Sequence, residues 1–492
     1  MLLSKLLAPL SCEMPEKANN TEITSLAYDS RKAVPGSLFV CLVGDKTDGH
    51  LYAQSAYGNG CRAFLVSREV ALPDDAVIVA TSDTRHALAV LSDVFFGHPS
   101  GKLRLIGITG TKGKTTTATL LAEALNRKGY KTGLIGTTGI RIGDKVTPVA
   151  NTTPESYELH RAFAEMVDFG AEYAVLEVSS QAYLRGRVAG LSFHLGIFTN
   201  LSPDHIGGNE HPDFENYRMC KSMLFAHSRT SLINADDAYG QSMALAAMGD
   251  VFYYGIDAEA DYAAEEIADI TLASCPGVSF SVTPPNRAKQ TLFVRTPGKF
   301  SVYNALSVLA ACDLLGVGTD GLSEIFETTA VSGRFETVNT SLSDRTFIID
   351  YAHNELSLRS LLETVKATHP KRLVVLFGSV GGRTGIRREA LGRAASEFAD
   401  LCILTSDNPD FEDPSEILSD IEKGITNGCR VIKIPDRREA IGYAVSHSEP
   451  GDVILFAGKG HEQYQLIRGV KEPFCEKELI EEAAKLASWN SR

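Results

Sequence analysis

Leu103-Arg-Leu-Ile-Gly-Ile-Thr-Gly-Thr-Lys-Gly-Lys-Thr-Thr-Thr-Ala-Thr-Leu-Leu-Ala-Glu-Ala-Leu125 is the stretch whose reading decides the fold. A short apolar run enters a Gly-rich turn, and a helical pattern with Leu120, Leu121 and Leu125 on one side follows. Strand, glycine turn and helix N-terminus together make a phosphate cradle, because backbone N–H groups point at the anion and the helix dipole favours it. Gly110, Thr111, Lys112 and Gly113 form the turn. Lys114 can reach the β/γ-phosphates, the Thr115 hydroxyl can bind Mg²⁺, and Thr116 continues the helix start. The loop is shorter than the common P-loop, whose first Gly would fall at Ile108.

Outward from this stretch, Ala174–Val178 and Leu195–Thr199 read as buried parallel strands. Residues before about 98 alternate short apolar runs, such as Ser37–Val43 and Ala63–Val66, with turns, and His98–Lys102 reads as a linker. A third block from about Ser332 offers strands at Thr346–Asp350, Arg372–Phe377, Leu401–Thr405 and Asp452–Phe456, separated by helical stretches. The expected architecture is α/β in three domains. A small N-terminal α/β domain covers 1–98, a central P-loop-type parallel-sheet ATPase domain 99–331, and a C-terminal Rossmann-like α/β domain 332–492.

A chain of 492 residues is too long for one core. Its net charge of −13 gives a nucleic-acid role no electrostatic support. No apolar run approaches the roughly 20 residues that span a bilayer. The opening MLLSKLLAPLSCEMPEK reads as an amphipathic helix, and nine cysteines without a CxxC fit reduced thiols in a cytoplasm and argue against a zinc site.

In open α/β sheets ligands sit beyond the carboxyl ends of strands, so the polar residues there carry the chemistry. Glu177 ends one strand, placed to hold Mg²⁺ or to cap a helix. His205 follows another and is a metal-ligand candidate, although a lone His is more often structural. Lys221 lies in a helical pattern and by itself reads as a solvated lysine. Asn304 stands near the start of an apolar helix, where it could bind a base or merely cap. Arg334 follows a hinge-like Ser-Gly and suits a phosphate clamp. Asp350 ends a further strand. Arg383, Asp407-Asn408-Pro-Asp410 and Glu462 lie at three strand tips, a set that suits a zwitterion: Arg takes a carboxylate bidentately and acids take an ammonium.

Taken together, Asp29-Ser-Arg31, Asp48-Gly-His50, GTKGKTTT, Asn151-Thr-Thr-Pro-Glu-Ser156, EVSSQ, the Asn200–His205 run, the Lys221 helix, SGRFE, DYAH and GKGHE resemble the Mur ligase family of ATP-dependent amide-bond ligases over nearly the whole chain. EVSSQAYL, SPDHIGGNEHPDFE and DYAHN look most like its lysine-adding branch. The resemblance implies that Ser30 contacts the uridine end of a nucleotide-sugar and that Thr152, Thr153, Ser179 and Arg187 contact its muramoyl-dipeptide part. Lys114, Thr115 and Glu177 would serve ATP and Mg²⁺. His205 and Lys221 would hold a second Mg²⁺, with Lys221 carrying a CO₂-derived carbamate, and Asn304, Arg334 and Asp350 would help to bind the nucleotide.

The diaminopimelate-adding pattern has DNPR where this chain has Asp407-Asn-Pro-Asp410, and the family's usual Asp-Arg-Asp is Gly382-Arg-Thr384 here. Asp410 is therefore expected to repel a second substrate carboxylate. Asp407 and Glu462 are expected to face a side-chain ammonium, and Arg383 and Asn408 to hold the α-carboxylate. The implied reaction adds L-lysine to UDP-N-acetylmuramoyl-L-alanyl-D-glutamate through an acyl phosphate. The setting would be peptidoglycan precursor synthesis, serving cell-wall biogenesis, cell shape and division. The enzyme is expected to be a cytoplasmic monomer with neither nucleic-acid nor membrane partners. The alternative is the same ligase using meso-diaminopimelate or ornithine. A folylpolyglutamate-type ligase, a P-loop kinase or a non-catalytic nucleotide sensor follow behind.

Overall fold

The computed structural model describes residues 1–492 except 45, 46, 204, 205, 208, 209, 273, 274, 427, 491 and 492, and gives backbone alone at 271, 272, 275 and 490. The chain divides into two compact units. One is Met1–Ile267 with Phe280–Leu292 and Val302–Phe326; the other is Ala268–Ser279 with Phe293–Ser301 and Glu327–Arg492.

The first unit holds two sheets. Near the N-terminus the strands Ser25–Ala27, Ser37–Val40, Ala63–Val66 and Val77–Ala80 lie side by side in that order, all parallel. One apolar face is covered by Leu3, Leu6 and Leu7 of the opening helix, all fully buried, and by Ala87, Leu88 and Leu91 of the helix Thr84–Phe95. Asp83 starts that helix by accepting from the amides of Arg85 and His86, a capping arrangement worth about 1 kcal/mol. The linker expected at His98–Lys102 contains a single 3₁₀ turn, Pro99–Lys102.

The second sheet carries the phosphate-loop strand, Arg104–Thr109, at its centre, between Phe193–Phe198 and Tyr173–Glu177, both parallel to it. Beyond Phe193–Phe198 come Ser228–Asn234 and Asp250–Gly255. Beyond Tyr173–Glu177 come Thr132–Gly136 and the antiparallel Gly139–Ile142 and Lys145–Thr147. The register sets Ile108 beside Glu177 and Thr109 beside Phe198. The segments after both neighbouring strands therefore flank the Gly-rich turn. Strands buried on both faces need near-continuous apolar runs, as in Tyr173–Glu177, which is buried throughout.

In the second unit the strands Thr346–Asp350, Asp452–Ala457, Arg372–Phe377, Leu401–Leu404 and Arg430–Lys433 form a parallel sheet in that order, with Glu336–Val338 antiparallel at one edge. Helices cover both faces. Leu358, Leu361 and Leu362 with Leu391 and Ile417 pack one side, and Ile441, Val445 and Ile480 the other. The tips after Asp350, Ala457, Phe377 and Leu404 are thus neighbours at one end of the sheet.

Candidate active site

The turn Gly110–Gly113 leads directly into the helix Lys114–Arg127. Gly113 is its N-cap, with φ +84°, and a Cβ there would lie 2.6 Å from Asn304 Oδ1. Glycine is required for both reasons, and its missing side chain leaves the first helix amides uncapped from that position. Lys114 folds back over the turn, its Nζ donating to the carbonyls of Gly110 at 2.7 Å and Thr111 at 3.1 Å. Thr115 is buried and donates through its hydroxyl to Glu177 Oε2 at 2.9 Å. Glu177 is 1% exposed and also accepts from the Thr137 amide and hydroxyl. These hard oxygen donors beside uncapped helix amides fit a Mg²⁺–phosphate group. The Lys112 amide donates to Asn200 Oδ1 and its carbonyl accepts from Thr199, so the turn is tied to the neighbouring strand end. Thr111 is bonded to Tyr217, and Thr116 is half-buried.

Lys221 sits on the helix Phe214–Ala226, which begins at Asp213 capping the Asn216 amide. The lysine is 2% exposed, lies over the Tyr217 ring at 4.6 Å, and donates to the Gly110 carbonyl at 2.8 Å. It is therefore no solvated surface lysine; it points at the same turn as Lys114. Asn304 is buried on the helix Lys299–Leu314, with Oδ1 accepting from Thr117. His205 lies outside the described residues.

The segment after Asn151 packs against the Glu177 strand end. Thr153 is fully buried and donates to the Glu177 carbonyl at 2.8 Å, while its hydroxyl accepts from the Ser179 amide. Thr152 meets Thr137 at 3.1 Å. Arg187 binds Glu155 and the Thr153 carbonyl, so its guanidinium braces this segment from below. Ser30 is buried, its carbonyl accepting from Asn59.

At the tips of the second unit, both Asp350 oxygens accept backbone amides, from Phe335 at 2.7 Å and Ala352 at 2.8 Å, fixing the SGRFE segment. The Arg334 guanidinium lies over Tyr351 at 4.6 Å. Arg383 is exposed, and its loop is pinned where the Gly381 amide meets the Asn408 carbonyl and the Gly382 amide meets Glu412. Buried Arg388 clamps Glu412 from behind at 2.6 Å and 2.7 Å.

The acids expected to meet a substrate ammonium already meet one inside the protein. Lys459 is 0% exposed and donates to Glu462 at 2.6 Å and Asn408 Oδ1 at 2.9 Å, with Asp407 at 3.8 Å. The sequence reading missed this lysine, although it stands inside GKGHE. Asp407 is buried at 2% exposure, and that burial pushes its carboxyl up against the pull of Lys459 and Arg437. Asn408 donates its amide to Glu462 and accepts the Leu466 amide, which ties its own loop to that of Glu462 and to the strand Tyr464–Ile467. Asp410 caps the hairpin Tyr464–Pro473, its carboxylate accepting the Gly469 amide at 2.7 Å.

A phosphate loop of this build, on a parallel sheet and followed by a second α/β unit with polar strand tips, defines a P-loop-type nucleotide-binding protein. The chain matches the Mur ligase family catalytic domain over residues 22–95, the Mur ligase middle domain over 108–312 and the Mur ligase glutamate ligase domain over 333–460. It is 41% identical over 94% of its length to a UDP-N-acetylmuramoyl-L-alanyl-D-glutamate–2,6-diaminopimelate ligase of Caldanaerobacter subterraneus subsp. tengcongensis, covering 95% of that protein. With the ligase of the same description from Geobacillus kaustophilus it shares 38% over 99% of both chains. A solved 2,6-diaminopimelate ligase of this kind superposes with a TM-score of 0.69 at 29% identity, 99% of each chain being covered. The chain belongs to the Mur ligase family. These relatives are described as adding diaminopimelate, whereas the branch-like motifs lead to an expectation of lysine; Asp410 keeps its carboxylate, one oxygen of which accepts the Gly469 amide.

Proposed function

We propose that this chain is an ATP-dependent ligase that joins a diamino acid to UDP-N-acetylmuramoyl-L-alanyl-D-glutamate, with 2,6-diaminopimelate the preferred amine. The observation that carries the reading is the full-length similarity to ligases of that description. The division at 98/99 and 331/332, a monomeric state and a cytoplasmic location belong to the same reading. Among the described residues no helix is long and apolar enough to cross a membrane.

A carboxylate does not react with an amine unaided; phosphorylation by ATP makes it an acyl phosphate, which the amine attacks to release phosphate. Lys114 and the helix amides would hold the phosphates in place, and Thr115 with Glu177 would hold Mg²⁺, which when bound offsets phosphate charge. His205 and Lys221 would hold a second Mg²⁺, a role that calls for a carbamate on the buried Lys221 Nζ, because an ammonium offers a metal no lone pair. Asn304, Arg334 and Asp350 are assigned to the nucleotide. Ser30, Thr152, Thr153, Ser179 and Arg187 are assigned to the nucleotide-sugar peptide. Arg383 would meet the incoming α-carboxylate, and Glu462 an ammonium.

An amino-acid panel with phosphate release as readout tests the reading. Release should require both the UDP-dipeptide and an amine, and meso-diaminopimelate should give a higher kcat/KM than L-lysine or L-ornithine. Amine-independent turnover, or none, refutes a ligase; a preference for lysine refutes the choice of amine and favours repulsion of a second carboxylate by Asp410.

A further inference from the structure

We propose that Lys459 is a positioning residue of the amino-acid subsite, holding Glu462 and Asn408 in the geometry that receives the amine substrate; the inference rests on the ligase reading above. The local chain dictates where the lysine goes. Gly458 and Gly460 on either side have φ +110° and +53°, and a Cβ at Gly458 would lie 2.9 Å from Asp407 Oδ2 and one at Gly460 2.7 Å from Tyr351 Cβ. Two left-handed positions in three residues turn the chain sharply between the strand Asp452–Ala457 and the hairpin, and send the intervening side chain under the loop. There its ammonium spans two loops, bonding Asn408 on one and Glu462 on its own, with the Tyr464 ring 5.3 Å away.

The Lys459 side chain is 0% exposed and offers a ligand no open surface, whereas Glu462 retains 15% side-chain exposure. The lysine also changes the charge balance. Asp407 and Glu462 without it would be two clustered carboxylates; with it, their charges are partly offset within the protein. Arg437 and Glu476, buried as a pair behind Asp407, cancel each other. Of Asp407 and Glu462, the acid that reaches solvent is Glu462, and Lys459 holds it where it points.

Initial-rate kinetics on the full chain, varying amino acid, ATP and UDP-dipeptide in turn, test this. Lys459→Met keeps an unbranched stem. It should raise the amino-acid KM about tenfold or more, leave the other two KM values within about twofold, and leave kcat at saturating amino acid within about threefold. Because the lysine acts through Glu462, the double variant Lys459→Met/Glu462→Gln should have an amino-acid KM within about twofold of Glu462→Gln alone. The double variant also removes the stranded carboxylate, and so decides the question if the single variant does not fold. An unchanged amino-acid KM, an equal rise in all three KM values, or additive effects in the double variant would overturn the proposal. A wild type with no amine-dependent phosphate release overturns the ligase reading, and the inference with it.

Discussion

Arg437 is the cation on which the base of the amino-acid subsite rests, and removing it has a calculable cost. The side chain is fully buried and donates to Glu476 Oε1 from Nε at 2.9 Å and from Nη2 at 2.8 Å. It also bonds the carbonyls of Ser406 at 3.3 Å and Ala457 at 3.0 Å, the last residues before two of the subsite loops. Glu476 is 1% exposed, and burial raises its carboxyl despite Arg437. Arg437→Met strands that carboxyl and two carbonyls, for a loss of about 3–5 kcal/mol. Glu476→Leu in the same chain removes the stranded acid and leaves only the two carbonyls, about 1 kcal/mol each. Hydrogen exchange read by mass spectrometry over Leu401–Leu404 and Asp452–Ala457 measures this locally, without assuming that the two units unfold together. Protection in Arg437→Met should fall about a hundredfold or more, at 1.4 kcal/mol per tenfold, and the double variant should regain part of it. A double variant at least as exposed as the single one refutes the account of Arg437 as counter-ion to Glu476.

Three further outcomes are expected. Lys114→Ala should lower kcat about a hundredfold or more while circular dichroism stays native, since it removes a cation aimed at the phosphate turn; near-normal turnover would remove Lys114 from the ATP site. Lys221→Ala should be nearly inactive and partly rescued by short carboxylic acids that replace a carbamate's oxygens; intact activity would leave the lysine a packing residue on Tyr217. Burial, aided by Arg334, holds the His461 imidazole down at about 4, against an ordinary 6.5. Between those values the unfolded chain binds a proton that the folded chain refuses, so stability falls as pH drops through that window and levels off beneath it. The loss is at most about 3 kcal/mol. His461→Gln should shrink the stability difference between pH 7 and pH 4, measured by urea unfolding, and an unchanged difference would mean that His461 titrates normally.

The backbone was legible in the sequence wherever the signal is local. Thr346–Asp350 and Arg372–Phe377 form strands with the expected bounds, because an apolar run closed by charged or glycine residues has one extended solution. The convergence of Glu177 and Thr199 on the phosphate turn also follows, once their strands are parallel neighbours of the loop strand. What the sequence does not carry is which polar groups neutralise one another. Lys459 and Asn408 are 51 positions apart and Arg437 and Glu476 39 apart. Cys402 and Cys429, read as scattered thiols, stand 3.5 Å from each other. Such pairings depend on strand order and loop direction, which no window of residues encodes. Counting acids at strand tips therefore overstated the negative charge open to a substrate, since the loop that supplies Glu462 supplies its counter-ion three residues earlier. Acid at a strand tip signals an ammonium ligand only after the protein's own lysines and arginines have been subtracted. Here Lys459 already meets Glu462 and stands near Asp407, while half-buried Asp410 accepts the Gly469 amide, so the identity of the amino acid must be decided around Glu462, Asp410 and Arg383 together.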